Sequence, residues 1–380
     1  MKKTIFLGVL SISSIFQSCS NDDEDSNTSN LTTTNQQVIE NYTNLVHTSY
    51  TNSVSSAKTF NQVLKDLNTN KDATSLNAAK VAWKEAREDY QPTEAFRFFG
   101  PIEDVINGSN DLGYEVAINA WPLDESAVDG FISNNSTFNE TLFLSEFNED
   151  DLISIGWHPI EYILWGEDSD KSNGSINGTK GIVDFTDNEY TYLVAAGDVL
   201  VKYLEYVTAQ WASGGSFRSS FTNEGSKSIQ NILTALGTLA NAELGGERTL
   251  EPFNGPGVDA EHSCFSDNTN RDNSLNWEGI VGVYQGKLAG VEGSSVEDLI
   301  KEKDAELAAI ITSQISLVND IMVQIENDFF EDVIKVGSSK RELVFKEADI
   351  NKETLISRLT DFGNLIVEAG DKLELDVTVE

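Results

Sequence analysis

Residues 307–325 read LAAIITSQISLVNDIMVQI. Leu307, Ile310, Ile311, Ile315, Val318, Ile321, Met322 and Ile325 recur every three or four positions. An α-helix turns once per about 3.6 residues, so this spacing gathers them on one face, whereas a half-buried strand would alternate with a period of two. The same stripe recurs along the chain. From Val38 it runs through Tyr42, Leu45, Val46, Ala57, Phe60, Leu64 and Leu67, which predicts one helix of about nine turns with a candidate break near Asn52–Ser56. A second helix is expected from near Ser75 and must stop before Pro92, which cannot continue a helix interior. Further stripes cover Leu193 to Trp211, Ile229 to Leu239, and Leu355 to Ile366. Alternating strand patterns are scarce, and there is neither a GxGxxG nor a phosphate loop.

Long helices joined by polar loops imply an all-α fold, and helix bundles are its natural architecture. The stretch GEDSDKSNGSINGTK, residues 166–180, is polar and carries two Asn-Gly pairs. It is the expected boundary between two four-helix-bundle-like domains packed side by side, residues 35–166 and 181–376.

The N-terminus reads as an export signal. Lys2 and Lys3 precede an apolar stretch from Ile5 to Phe16, too short to span a bilayer as a helix. Cys19 then stands where a bacterial lipobox places the acylated cysteine, although Phe16 and Gln17 depart from that pattern. Residues 1–19 are expected to be a lipoprotein signal and residues 20–34, polar and acidic, a flexible tether. With Cys19 lipidated, Cys264 is the one remaining cysteine, so an intrachain disulfide and a multi-cysteine zinc site are both excluded.

With 62 acidic against 26 basic residues, the net charge is −36. Such a surface repels phosphate backbones, so nucleic acid is excluded as a partner. It repels anionic membranes, leaving the lipid anchor as the membrane attachment, and it attracts cations.

Three polar clusters could carry chemistry. In GWHPIEYILWG, residues 156–166, His158 and Glu161 lie three apart, which on a helix places an imidazole and a carboxylate on one face. They could bind one metal ion. Alternatively Pro159 is the first helical residue, His158 the N-cap, and Glu161 the N3 partner of a capping box. The second cluster, residues 82–104, sets Trp83, Arg87, Tyr90, Glu94, Arg97 and Glu103 among aromatics. Arg87 and Glu94 are seven apart, two turns along one face if Pro92 leaves the helix unbroken. Core aromatics with surface Glu–Arg pairs would produce the same pattern. The third cluster, residues 261–286, is dense in Ser, Asp and Asn before turning helical near Trp277. Asp267, Asn268, Thr269 and Asp272 could ligate a hard cation, but the spacing is not that of an EF-hand, and a polar surface loop is the simpler expectation. His262 and Ser263 lack the GxSxG elbow of a serine hydrolase.

Taken together and in this order, the clusters resemble the imelysin-like family, peptidase family M75, which includes iron-regulated lipoproteins. Its Gly-x-His-x-x-Glu signature stands here as Gly156 to Glu161, followed by Tyr162 to Gly166. Trp83, Arg87, Glu94, Phe96, Gly100 and Pro101 are similar to its first block, AWPLDESAVDGFI from Ala120 to its middle block, and SCFSDNT with Tyr284–Gly286 to its last. The resemblance implies two helical bundles with the signature near their interface. It implies metal ligands at His158, Glu161 and Glu94, supported by Arg87, Glu103, Gly156, Ser263 and Asp267. Iron is the favoured cofactor, with zinc or calcium possible. The resemblance is to relatives that carry a histidine where this chain has Asn270. The implied role is iron uptake at the outer membrane, facing the periplasm or the cell surface. The partners would be a metal ion or chelate and an outer-membrane uptake receptor. The peptidase label leaves enzymatic activity open, since Gly-x-His-x-x-Glu supplies two ligands and no evident base. A metallopeptidase and a non-catalytic structural or adaptor lipoprotein are the alternatives.

Overall fold

The computed structural model describes residues 33–109, 111–147, 154–167, 178–254, 261–346 and 353–379. The signal segment, Cys19, nearly all of the tether and most of the expected boundary at 166–180 lie outside the described residues.

Helix α1 (Asn35–Asn70) starts on a capping box, with the Thr34 side chain accepting the Gln37 N–H and Gln37 reaching back. It runs unbroken for 36 residues. The polar stretch at its middle does not interrupt it; there Thr51 and Ser56 turn their hydroxyls onto the carbonyls of His47 and Asn52, four residues earlier. Helix α2 (Ala73–Tyr90) is capped by Asp72 and gives way, as Pro92 requires, to a 3₁₀ turn over Gln91–Phe96. Four short helices follow: α3 (Tyr114–Asn119), α4 (Glu125–Asn134), α5 (Glu140–Glu146) and α6 (Trp157–Trp165). Then come α7 (Asp187–Trp211), α8 (Ser216–Asn223) and α9 (Ser226–Thr238).

The chain continues from α9 into a wider π-helical stretch, Leu239–Leu250, and then α10 (Glu251–Asn254) and α11 (Thr269–Gln285). A two-residue hairpin pairs Lys287 with Glu292 and Leu288 with Val291; these are the only strands among the described residues. Helices α12 (Val296–Lys303), α13 (Ala305–Ile325), α14 (Phe330–Ile334), α15 (Arg341–Val344) and α16 (Leu355–Lys372) complete the fold. The fold is all-α, as the stripes predict.

Two groups of helices share the core. In one, α1 lies between α2 and α7, and α6 fills the space between α2 and α7. In the other, α16 packs on α9, the π-helical stretch and α13, with α11 alongside. Although α7 follows the expected boundary, it packs along α1, so the chain crosses that boundary and returns to the first group. The residues from Thr33 onward form one compact unit. Helix α13 is apolar and long enough to cross a membrane, but it buries Leu307, Ile311, Ile315 and Val318 in the core.

The two groups meet where α11 packs on the 3₁₀ turn after α2. A Cβ at Gly279 would stand 2.3 Å from the Pro92 carbonyl oxygen, so only glycine lets α11 approach this closely. The polar clusters of the sequence converge here.

Candidate functional site

Helix α6 begins two residues earlier than a capping box at His158 would require. Gly156 is the N-cap, and His158 and Pro159 are both inside the first turn, where backbone N–H groups have no helical partner to lose. Gly156 takes φ 111°, and a Cβ there would stand 2.7 Å from the Ile118 carbonyl oxygen and 2.9 Å from that of Ala117. The glycine therefore lets the end of α3 close onto the start of α6, which aims the His158 ring inward. Glu161 does not serve the helix start. Its Oε2 shares a 2.9 Å hydrogen bond with His158 Nδ1, and its Oε1 accepts the Ser266 N–H at 2.9 Å. The capping-box reading fails because both carboxylate oxygens are committed elsewhere.

Ser266 belongs to the segment leading into α11, and this segment is not a surface loop. Glu261, Ser263 and Ser266 are fully buried, and His262 is 4% exposed. Helix α11 starts at Thr269, eight residues before the expected Trp277. The segment turns His262 toward His158, with ring centroids 4.6 Å apart and the planes at 76°. Two of the chain's three histidines thus meet, while His47 sits half-buried on α1. His158 Nε2 and His262 Nδ1 are both buried without a hydrogen-bond partner. The half-buried Trp121 packs over the pair, 5.0 Å from the His158 ring and 6.2 Å from that of His262.

Beside the imidazoles runs a buried ionic network. Arg87, fully buried on α2, donates from Nη2 and Nε to Asp272 Oδ2 at 2.7 and 3.2 Å and from Nη1 to Asn119 Oδ1 at 2.6 Å. The Ser263 hydroxyl donates to the same Asp272 oxygen at 2.6 Å, and Asn268 Nδ2 to the other at 2.8 Å. Glu94 lies in the 3₁₀ turn rather than on the Arg87 face of α2, because the helix does break at Pro92. Its Oε2 accepts from Arg248 Nη2 at 2.7 Å and lies 3.4 Å from Arg97 Nε, and its Oε1 accepts from the Tyr90 hydroxyl at 2.9 Å. Arg248 is delivered by the π-helical stretch and also bonds Asn276 on α11. Asn119 links the networks, giving Nδ2 to Glu94 Oε1 at 3.4 Å.

Burial dominates the electrostatics of the centre. Desolvation, with the Arg87 charge second, holds the His158 imidazole well below its ordinary range. Burial, then Arg248 and His158, does the same to His262. Burial pushes the Glu161 carboxyl up to about 8. Burial also acts to raise Glu94, but Arg248 and Arg97 outweigh it and hold that carboxyl below its ordinary value. At neutral pH both imidazoles are uncharged, Glu161 holds a proton, and Glu94 is ionised.

The expected ligand set divides accordingly. His158 presents a free nitrogen, whereas Glu161 faces Nδ1 of that histidine and Glu94 faces two guanidinium groups. Among the described residues no group of three or more His, Cys, Asp or Glu side chains is placed to hold a metal ion. The residues that fit a transition metal are the two imidazoles, since a neutral ring can give a nitrogen to such an ion and Glu161 can orient its neighbour from behind. Of the supporting residues, Arg87 and Ser263 meet at Asp272, and Gly156 sets the approach of α3. Asp267 is half-buried at φ 52°, and Glu103 is exposed on its turn, outside the centre. Asn270 gives its amide to the Asp328 carbonyl oxygen at 3.0 Å. Sequence reasoning passed over Asn119 and Arg248, and it did not bring His262, Asp272 or Trp121 to the centre. The scarcity of histidine is the signal that could have placed His262.

The profile of the imelysin family, peptidase M75, matches residues 46–355. This chain is a member of the imelysin family. It is 23% identical over 331 residues to iron-regulated protein A of Synechococcus elongatus, covering 82% of this chain and 80% of that protein. The crystal structure of an iron-regulated protein A precursor from Parabacteroides distasonis superposes with a TM-score of 0.64 at 17% identity, over 90% of this chain and 97% of that one. An imelysin-like protein from Psychrobacter arcticum gives the same TM-score at 13% identity, over 90% and 96%. At these identities the solved structures speak for the imelysin fold alone, and the site rests on the geometry above.

Proposed function

We propose that this imelysin-family protein is a non-catalytic carrier that holds one transition-metal ion, iron by preference, between His158 and His262. The observation that supports it is the facing pair of neutral, buried imidazoles with one unpartnered nitrogen each. Leaving a buried nitrogen unpaired costs about 1–3 kcal/mol, a cost that a bound cation would relieve. Glu161 would fix the ring of His158 through Nδ1 and pass its proton to Nδ1 as Nε2 releases its own proton to take a ligand. Calcium fits poorly, because it takes oxygen ligands and the carboxylates of Glu94, Asp272 and Glu161 are paired with guanidinium groups or with His158. A zinc peptidase needs three protein ligands, a water and a base, and this centre offers two free donors. The name of the Synechococcus relative favours iron among the ions that imidazoles accept. We place the protein at the outer membrane, held by a lipid on Cys19 and facing the periplasm or the surface, where it would serve an uptake receptor.

The test is calorimetric titration of the purified protein with ferrous iron, without oxygen, and with zinc. One-site binding is expected in the wild type and loss of it in both His158→Ala and His262→Ala. Equal binding in all three proteins would overturn the reading. A fall in melting temperature with no binding in any of them would instead make His158–Glu161–Ser266 a structural tie between α6 and the segment before α11, the adaptor reading.

A further inference from the structure

The centre just described has a problem of access. His158 is 0% and His262 4% exposed, so an ion in solution reaches neither nitrogen without something moving. Trp121 packs on the pair and Phe265 packs on Trp121, and the two rings differ in burial. The Phe265 ring is fully buried. Trp121 is half-buried and lies on the connection between α3 and α4, outside any helix. It spans the whole centre, contacting both imidazoles and, at 5.9 Å between centroids, Phe265. Its neighbours along the connection, Pro122 and Asp124, are exposed. Of the two rings, Trp121 is the one that reaches both imidazoles and also reaches solvent.

The same packing bears on the cargo. Ring centroids at 4.6, 5.0 and 6.2 Å are direct contacts, so no flat macrocycle or chelated ion fits between the indole and the imidazoles while Trp121 is in place. An ion that has shed its ligands needs only the two nitrogens and a little relaxation of the rings. Resting on the metal reading above, we propose that Trp121 is the movable cover of the His158–His262 centre and restricts its cargo to a single bare metal ion, excluding haem and chelates. Trp121 acts as a positioning residue; it does not ligate the ion.

Cobalt(II) is a suitable probe, since its visible absorption reports imidazole ligation and it quenches nearby tryptophan. The wild type is expected to bind cobalt(II) with partial quenching of its six tryptophans, and haemin is expected to leave its spectrum unchanged. Trp121→Phe should lose part of the quenching while still binding. In stopped-flow mixing, Trp121→Ala should accelerate both association and dissociation about tenfold, with the equilibrium affinity within about threefold, because a cover changes rates more than end states. If the alanine variant does not fold, Trp121→Phe, a smaller cover, carries the test and should still accelerate both rates about threefold. Cobalt binding in all proteins with unchanged rates and undiminished quenching in Trp121→Phe would overturn the cover and leave the metal reading standing. A wild type that binds haemin as tightly as cobalt would overturn the size restriction. A wild type that binds no cobalt would overturn the metal reading and the cover with it.

Discussion

Replacing Gly156 by alanine adds one methyl group, and the structure says where it goes. The residue sits at φ 111° and ψ −172°, a region that L-residues essentially do not enter. Backbone strain there is of order 1–3 kcal/mol. The new Cβ would also stand 2.7 Å from the Ile118 carbonyl oxygen, and a main-chain atom at the end of α3 cannot swing aside as a side chain would. Relief of that overlap by moving α3 should add roughly 1–3 kcal/mol, the usual cost of overpacking. The expected total is about 2–6 kcal/mol, read as a lower midpoint in urea with the slope unchanged. Gly130→Ala is the internal control. Gly130 lies inside α4, and a methyl group there would meet nothing within 4 Å, so the same chemical change should stabilise by up to about 1 kcal/mol. Opposite signs at the two glycines are the expected result. A Gly156→Ala protein as stable as wild type would refute the claim that close approach of α3 sets the start of α6.

Two further outcomes follow from the buried charges. Arg87→Leu should cost about 3–5 kcal/mol because Asp272 is left buried and uncompensated, while Arg87→Leu with Asp272→Leu should recover much of that loss; a denaturation double-mutant cycle with additive costs would contradict this. In the metal-free protein, Glu161 keeps its proton up to about pH 8 when folded and to about pH 4.5 when unfolded, so the folded state holds the extra proton between these values and stability falls as pH rises through that window. His158 and His262 are held below 6.5, so the unfolded chain takes up more protons below about pH 6.5 and stability is lost as pH falls. Melting temperatures at about pH 5, 6.5 and 8.5 should therefore show Glu161→Gln flattening the alkaline decline and sparing the acid one. An unaltered alkaline limb in that variant would contradict the protonated carboxyl.

The long helices were legible because burying a face of a helix imposes a period that composition does not hide. The stripe at Leu307 to Ile325 reads correctly even though no partner is visible in it. The start of α11 was not legible. Thr269, Asn270, Asp272, Asn273 and Ser274 have the composition of a loop, and their burial depends on partners far away in sequence, such as Arg87 and Asp328. The same reason explains Glu94. A glutamate in an aromatic cluster can be a ligand or an ion-pair partner, and Arg248, which decides between them, lies 154 positions away. Nor does periodicity foretell the π-helical stretch; its wider turns place Arg248 against Glu94 and Asn276.

The distribution of polar groups at this centre also explains its rigidity. Arg87 on α2, Asn119 on α3, Glu161 on α6, Arg248 on the π-helical stretch and Asp272 on α11 are joined by hydrogen bonds, directly or through Glu94, Ser263 and Ser266. Apolar packing between helices tolerates sliding, because most shifts exchange one methyl contact for another. A guanidinium shared between Asp272 and Asn119 tolerates far less, since a small displacement breaks directional bonds between buried charged groups. Buried ion pairs of this kind add little net stability, as desolvation cancels most of the attraction. Their effect is to fix the register of five segments around His158 and His262. On the metal reading proposed above, two donors act as one site only if their spacing is held from outside, and the ionic network beside them would supply that constraint.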